Sequence, residues 1–156
     1  MTPRTGVGPA AALLALALAG CGGKSPAEAA AESVRTLAAG IPGTVDKWLA
    51  SPQAPAGGDE LLAYLDARVP STPDFAFYLR EADGPRVRLR IAVTDQEPGT
   101  TWDTSQEVAR VCVEVTGTRG PRPGSTMTDA PCDDDAIRRA EPDARGGTVH
   151  TTTLDG

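Results

Sequence analysis

Between residues 75 and 115, apolar and polar side chains alternate in three runs. Phe75, Phe77 and Leu79 alternate with Ala76, Tyr78 and Arg80. Val87, Leu89, Ile91 and Val93 alternate with Arg86, Arg88 and Arg90, and Ala109, Val111, Val113 and Val115 with Arg110, Cys112 and Glu114. A strand sends successive side chains to opposite faces, so each run reads as a strand with one covered face and one polar face. Asp83-Gly84-Pro85 is a turn signal between the first two runs. A polar stretch at 94–106 separates the second from the third, and a Gly/Pro/Arg turn at 117–124 leads to a weaker strand at 125–130. Short connections and one-sided strands predict an antiparallel meander whose apolar face needs a cover.

The residues before it supply that cover. Ser25-Pro26-Ala27-Glu28 has capping-box spacing with proline at the first helical position. Val34, Leu37, Ala38 and Ile41 follow at i, i+3, i+4 and i+7 as one apolar stripe, stopped by Gly40 and Pro42. A second short helix is expected at 44–50, burying Val45, Trp48 and Leu49. Residues 51–58 (SPQAPAGG) read as a linker. Asp59 is placed to cap a third helix that turns Leu61, Leu62, Leu65 and Val69 inward. The alanine-rich start at 27–33 is open to a second reading as a solvated tether, because so short a helix is marginal alone. The expected fold is α+β: N-terminal helices on one face of a three- to five-stranded antiparallel meander, with one disulfide. The small domain spans 25–132. Residues 133–156 read as an acidic, partly disordered tail, in which 148–154 (TVHTTTL) favours an edge strand.

The core available to this domain is thin. From Cys21 onward only 23 of 136 residues are Leu, Ile, Val or Phe, below the share of about 20% at which compositional disorder becomes a serious prior. Eleven of those 23 lie in the predicted strands, so the core is expected there. The chain carries 15 basic and 21 acidic residues, a net charge of −6. That balance argues against a nucleic-acid partner, which needs positive charge facing phosphate.

The first residues carry a different signal. Arg4 is the lone charge of a short leader, and residues 10–19 are an unbroken apolar run. Ten residues suit the apolar part of a signal peptide and fall short of the roughly twenty needed to span a bilayer. The run ends in Leu18-Ala19-Gly20-Cys21. This tetrapeptide resembles the lipobox of bacterial lipoproteins. The resemblance covers residues 1–21 and implies a signal peptide at 1–20, cleavage between Gly20 and Cys21, and diacylglycerol on the Cys21 sulfur. Residues 21–24 are then a lipidated N-terminus and short tether. The protein is expected outside the cytoplasm, held to the outer face of the cytoplasmic membrane by its lipid. The composition, rich in Ala, Gly, Arg and Pro, is similar to that of small lipoproteins of high-GC Gram-positive bacteria and implies no activity. Loss of the leader removes Arg4, leaving 14 basic against 21 acidic residues, a net −7.

With Cys21 lipidated, Cys112 and Cys132 remain, and an isolated pair outside the cytoplasm is expected to oxidise. Motifs for phosphate binding, zinc or a nucleophilic serine are absent, and the one histidine is His150. No catalytic residue, cofactor or metal is therefore assigned. Asp133-Asp134-Asp135 lacks the spacing of a calcium loop and reads as a solvated acidic run. Trp48, at helical spacing, reads as core; Trp102, in the polar stretch, is the better surface contact. Arg86, Arg88 and Arg90 point to one strand face, and Tyr78, Arg80, Arg110 and Glu114 share their parity. Two readings of that face stand: an anion-binding surface, or a water-facing strand side whose arginines pair with glutamates. The expected function is a non-enzymatic binding or accessory module of the cell envelope. Its partners would be the membrane through Cys21 and an envelope protein or anionic envelope polymer. The alternative is a small envelope hydrolase with a carboxylate site.

Overall fold

A computed structural model of the chain describes residues 24–69, 72, 74–97, 107–140 and 148–156. Three helices come first: α1 (Pro26–Ala39), α2 (Ile41–Leu49) and α3 (Gly58–Asp66). Strands β1 (Phe75–Asp83), β2 (Arg86–Glu97), β3 (Glu107–Thr118) and β4 (Thr126–Asp129) follow, then α4 (Asp134–Ala140) and β5 (Thr148–Thr152). The described elements share one main core, drawn from residues between Ala30 and Val115, so residues 24–156 carry a core of their own.

The alanine-rich start is helix, not tether. Ser25 accepts from the Glu28 backbone N–H while Glu28 reaches back to the Ser25 N–H at 2.8 Å, a complete capping box. Ala30, Val34, Ala38 and Ile41 are buried. Leu37 is not: it is 38% exposed, the large hydrophobic that stands out of the core among the described residues. Pro42 stands in the first turn of α2, which buries Val45 and Leu49 and half-buries Trp48. Helix α3 starts two residues earlier than a cap at Asp59 would place it. Gly57 takes the cap position without a side-chain bond, and Asp59 and Glu60 sit in the first turn, facing the positive end of the helix dipole. Gly57 is dictated by space. A Cβ there would lie 2.0 Å from the carbonyl oxygen of Gly84, to which the Gly58 N–H donates at 3.0 Å.

The three long strands form an antiparallel meander in the order β1-β2-β3. The β1–β2 hairpin closes through Gly84 and Pro85, with Gly84 at φ 53°, the left-handed region a two-residue turn requires. Val87, Leu89, Ile91, Val93, Val111, Val113 and Val115 are buried beneath α1, α2 and α3. Each such side chain contributes about 1.5–3 kcal/mol by leaving water.

The expected sheet was purely antiparallel; the observed one is mixed. Strand β4 pairs antiparallel with Val113–Thr116 of β3, and β5 pairs parallel with its other half, from Glu107 to Val111. The cause is the length mismatch between β3, twelve residues, and β4, four residues. Half of the β3 edge would otherwise leave its N–H and C=O groups unpaired. The 133–156 segment crosses back and fills that gap. The Leu154 N–H donates to Asp129 Oδ1 at 2.9 Å, tying the two short strands together.

The three N-terminal helices cover one face as expected, and a fourth helix, which was not expected, lies on the other. Helix α4 packs against the second face through Ile137, which joins Ala76, Ala92 and Cys112 in a small apolar cluster. The aspartate run is accordingly a helix start. Asp133 Oδ1 accepts from the Ala136 N–H at 2.9 Å, Asp134 and Asp135 occupy the first turn, and Arg138 and Arg139 the last. Charges of each sign sit at the helix end that favours them.

Candidate functional site

The second face of the sheet divides into a covered end and an open end. Cys112, mid-strand on β3, is bonded to Cys132, with Cα atoms 5.4 Å apart. Strand β4 sets this up: the Ala130 N–H donates to the Cys112 carbonyl at 2.9 Å, which brings Cys132 over the sheet. Ala76 and Ala92 are small enough to admit the bridge and α4. Tyr78 lies beside them, its hydroxyl donating to the Pro131 carbonyl at 3.0 Å, and burial pushes its pKa up. Arg110 was expected to face water. Its side chain is only 13% exposed, and it pairs with Asp134 of α4 at 2.8 Å.

The open end carries the three arginines on one face, as their spacing predicts. Arg90 Nε lies 2.8 Å from Glu114 Oε2, and Arg88 Nη2 lies 2.9 Å from the same oxygen. Arg88 also reaches Glu81 at 3.4 Å. Hydrogen bonds from Arg88 and then Arg90 hold the Glu114 carboxyl below its ordinary pKa, and Glu114 in turn raises that of Arg88. Arg86 makes no ion pair with a described residue. With Arg88, Thr116 and Thr118 it borders an open concavity of about 430 Å³, whose rim also carries Glu81 and Asp83. Thr116 and Thr126 extend this face, their hydroxyls 2.8 Å apart.

Arg80 is absent from that face. The β1–β2 register shifts between Phe77 and Leu79: Phe77 opposes Ile91, yet Leu79 opposes Arg90. A bulge adds one residue and reverses the alternation beyond it. Arg80 therefore turns to the helix side and pairs with Asp66 at the end of α3, 3.2 Å away. Glu81 takes its place on the arginine face, opposite Arg88. Strict parity counting missed both residues, since no glycine or proline marks the bulge.

A polar cluster lies on the helix side, near the opposite end of β3. Ser33 of α1 donates to Asp95, and His150 Nε2 lies 2.7 Å from Glu107 Oε2. Arg35 of α1 donates to Thr152 Oγ1 at 2.6 Å and to the Thr153 carbonyl at 2.9 Å. The Arg35 bonds fasten α1 to the end of the returning C-terminal strand, Ser33 ties α1 to β2, and His150 ties β5 to β3.

Gly20, Cys21 and Trp102 lie outside the described residues. Among the described residues, no helix is long and apolar enough to cross a membrane, and no cluster of three or more His, Cys, Asp or Glu is arranged to hold a metal. No family model matches the chain, and no curated protein or solved structure matches it significantly.

Proposed function

We propose that this chain is an extracytoplasmic lipoprotein anchored through diacylglycerol on Cys21, working as a non-enzymatic binding or accessory module of the cell envelope. The observation that carries the reading is the spacing between the lipobox and the folded body. Leu18-Ala19-Gly20-Cys21 ends four residues before Ser25, the N-cap of α1. Four residues reach at most about 14 Å even when fully extended. A lipid on Cys21 would therefore hold α1 close against the membrane surface, rather than on a long stalk. Two acyl chains suffice for stable anchoring where one does not. The Cys112–Cys132 bridge supports an oxidising compartment.

Within this reading, the contact surface for an envelope protein or anionic envelope polymer is the open end of the second sheet face. An anion there would engage Arg86 first, because Arg88 and Arg90 are already held by Glu114 and Glu81. The anchor is tested by Cys21→Ala in the expressing cell. The variant is expected to leave the membrane fraction or accumulate uncleaved. Detergent phase partitioning equal to the parent chain would overturn the lipoprotein reading. The surface is tested by sedimenting residues 24–156 with anionic and neutral vesicles and with wall fragments. Salt-sensitive binding to anionic material, lost in an Arg86/Arg88/Arg90→Ser variant, is the expected result. Equal, negligible sedimentation with all of them at low salt would return the face to a solvated strand side.

A further inference from the structure

Between α1, α2 and the start of β1 the helix layer leaves a groove of about 360 Å³. Its walls are apolar: Leu37, Ile41, Trp48, Phe75 and Phe77 line it, and Leu37 is the exposed large hydrophobic of the described chain. One charged side chain joins them, Arg68, just beyond α3. Its guanidinium stacks 3.5 Å above the Tyr64 ring and donates to the Tyr64 carbonyl at 3.1 Å. It has no carboxylate partner among the described residues. The Tyr64 hydroxyl lies 3.4 Å from the Trp48 carbonyl, which fixes this corner of α3 against α2.

An apolar cavity with one preoriented cation is complementary to a ligand with an apolar body and a single anionic end. The volume is at the small end for ligand pockets, which run about 300–1,000 Å³. A methylene fills roughly the ~30 Å³ that a water occupies in the liquid, so the groove holds on the order of a dozen. That is one acyl chain, not two. We infer that this groove binds a free fatty acid, its chain along Leu37, Ile41 and Phe77 and its carboxylate on Arg68, where the planar guanidinium can donate two parallel hydrogen bonds. A second copy of the chain is a poor occupant. A stable protein interface needs about 800 Å² per partner, and a lone exposed leucine does not supply such a patch. The inference stands on the groove alone and does not depend on the lipid anchor.

The test uses residues 24–156 carrying Trp102→Phe, so that emission reports Trp48. The probes are dodecanoate, dodecanol and vesicles of an anionic diacyl phospholipid. Dodecanoate is expected to shift Trp48 emission saturably below its micelle concentration, and to bind more tightly than dodecanol. Arg68→Gln should weaken dodecanoate at least about tenfold, the loss expected for a charge-assisted contact, and leave dodecanol unchanged. Arg68→Lys, which keeps the charge, should recover part of the difference. Amide chemical shifts of the parent domain should move at Leu37, Ile41 and Phe77. Equal affinity for acid and alcohol, or shifts confined to another surface, would overturn the assignment. So would binding to vesicles but not to dodecanoate, or perturbation of the same amides by dilution without a ligand. If Arg68→Gln unfolds the domain, the shift map of the parent chain decides alone.

Discussion

The two faces of the sheet are built on different physics. The helix face is a continuous apolar layer: Val93, Val111, Val113 and Val115 are fully buried, with Val34 and Ala38 of α1 among the residues of the same cluster. The second face has two halves with separate means of support. At one end a disulfide, two alanines and Ile137 make a small covered patch. At the other, arginines and carboxylates pair at the surface, partly exposed, with no described helix packed over them. A chain this poor in large apolar residues can build one full layer. It finishes the other side with a covalent bond and ion pairs, which need far less apolar surface.

The difference is sharpest when one strand is altered on both sides. Val113→Asp places an unpaired carboxylate in the helix layer, where its hydration is lost and no cation lies opposite. Burial of an uncompensated charge costs several kcal/mol or forces water into the core. Cooperative unfolding in denaturant is expected to vanish. A sigmoidal transition near the parent midpoint would mean that the helix layer is not the main core.

Next in size is the bridge on the other side. Cys112 neighbours Val113, yet it points away from it. Replacing Cys112 and Cys132 together by alanine should cost about 2–5 kcal/mol, because the cross-link closes a loop of 20 residues in the unfolded chain. The domain should still unfold cooperatively, since the helix layer is untouched. Urea midpoints of the parent and double variant, compared at equal slope, measure the loss.

The second face also contrasts with itself. Arg110 and Arg86 share a parity and differ in cover. Arg110→Ala removes a packed aliphatic stem and the Asp134 contact, and should cost about 1–3 kcal/mol. Arg86→Ala should stay within about 0.5 kcal/mol, as for an exposed side chain with no ion pair to a described residue. Thermal midpoints of the two variants make the comparison, and equal midpoints would dissolve the division between covered and open ends.

These contrasts also show what was readable in the chain. The alternation of residues 86–93 and 109–115 assigned the two faces, because the hydrophobic period is set by the pleat itself. The Ser25 capping box and the Cys112–Cys132 pairing were equally local, one carried by short-range spacing and the other by an isolated pair. Arg80, Arg110 and Leu37 were misplaced for one shared reason. Their environments depend on a register shift, on α4, or on how α1 rotates over the sheet, and none of these leaves a local signature. The parallel pairing of β5 was hidden in the same way, since it answers to the free edge of β3 rather than to anything within 148–152. The groove beside Arg68 is assembled from helices and a strand far apart in the chain, so it appears only once they pack.

A further small effect, one that depends on pH, tests the open end directly. Glu114 accepts from both Arg88 and Arg90, which hold its pKa below the ordinary value in the folded state. A carboxylate with a depressed folded pKa binds fewer protons in the folded state than in the unfolded one across the interval between the two values. Its stabilisation is therefore complete above the unfolded value and is lost as pH falls through that interval. Neutral pH should thus show the full difference between the parent chain and Glu114→Gln, under about 1 kcal/mol for a surface cluster that is partly exposed. Below about pH 5 the difference should shrink, and at still lower pH the two curves should converge. Raising salt should narrow it at neutral pH, because ions screen charges exposed on an uncovered sheet. The same substitution at high salt should therefore be nearly silent. A gap between the curves that persists at low pH would mean that Glu114 acts through packing rather than charge. The open end would then resemble the covered one.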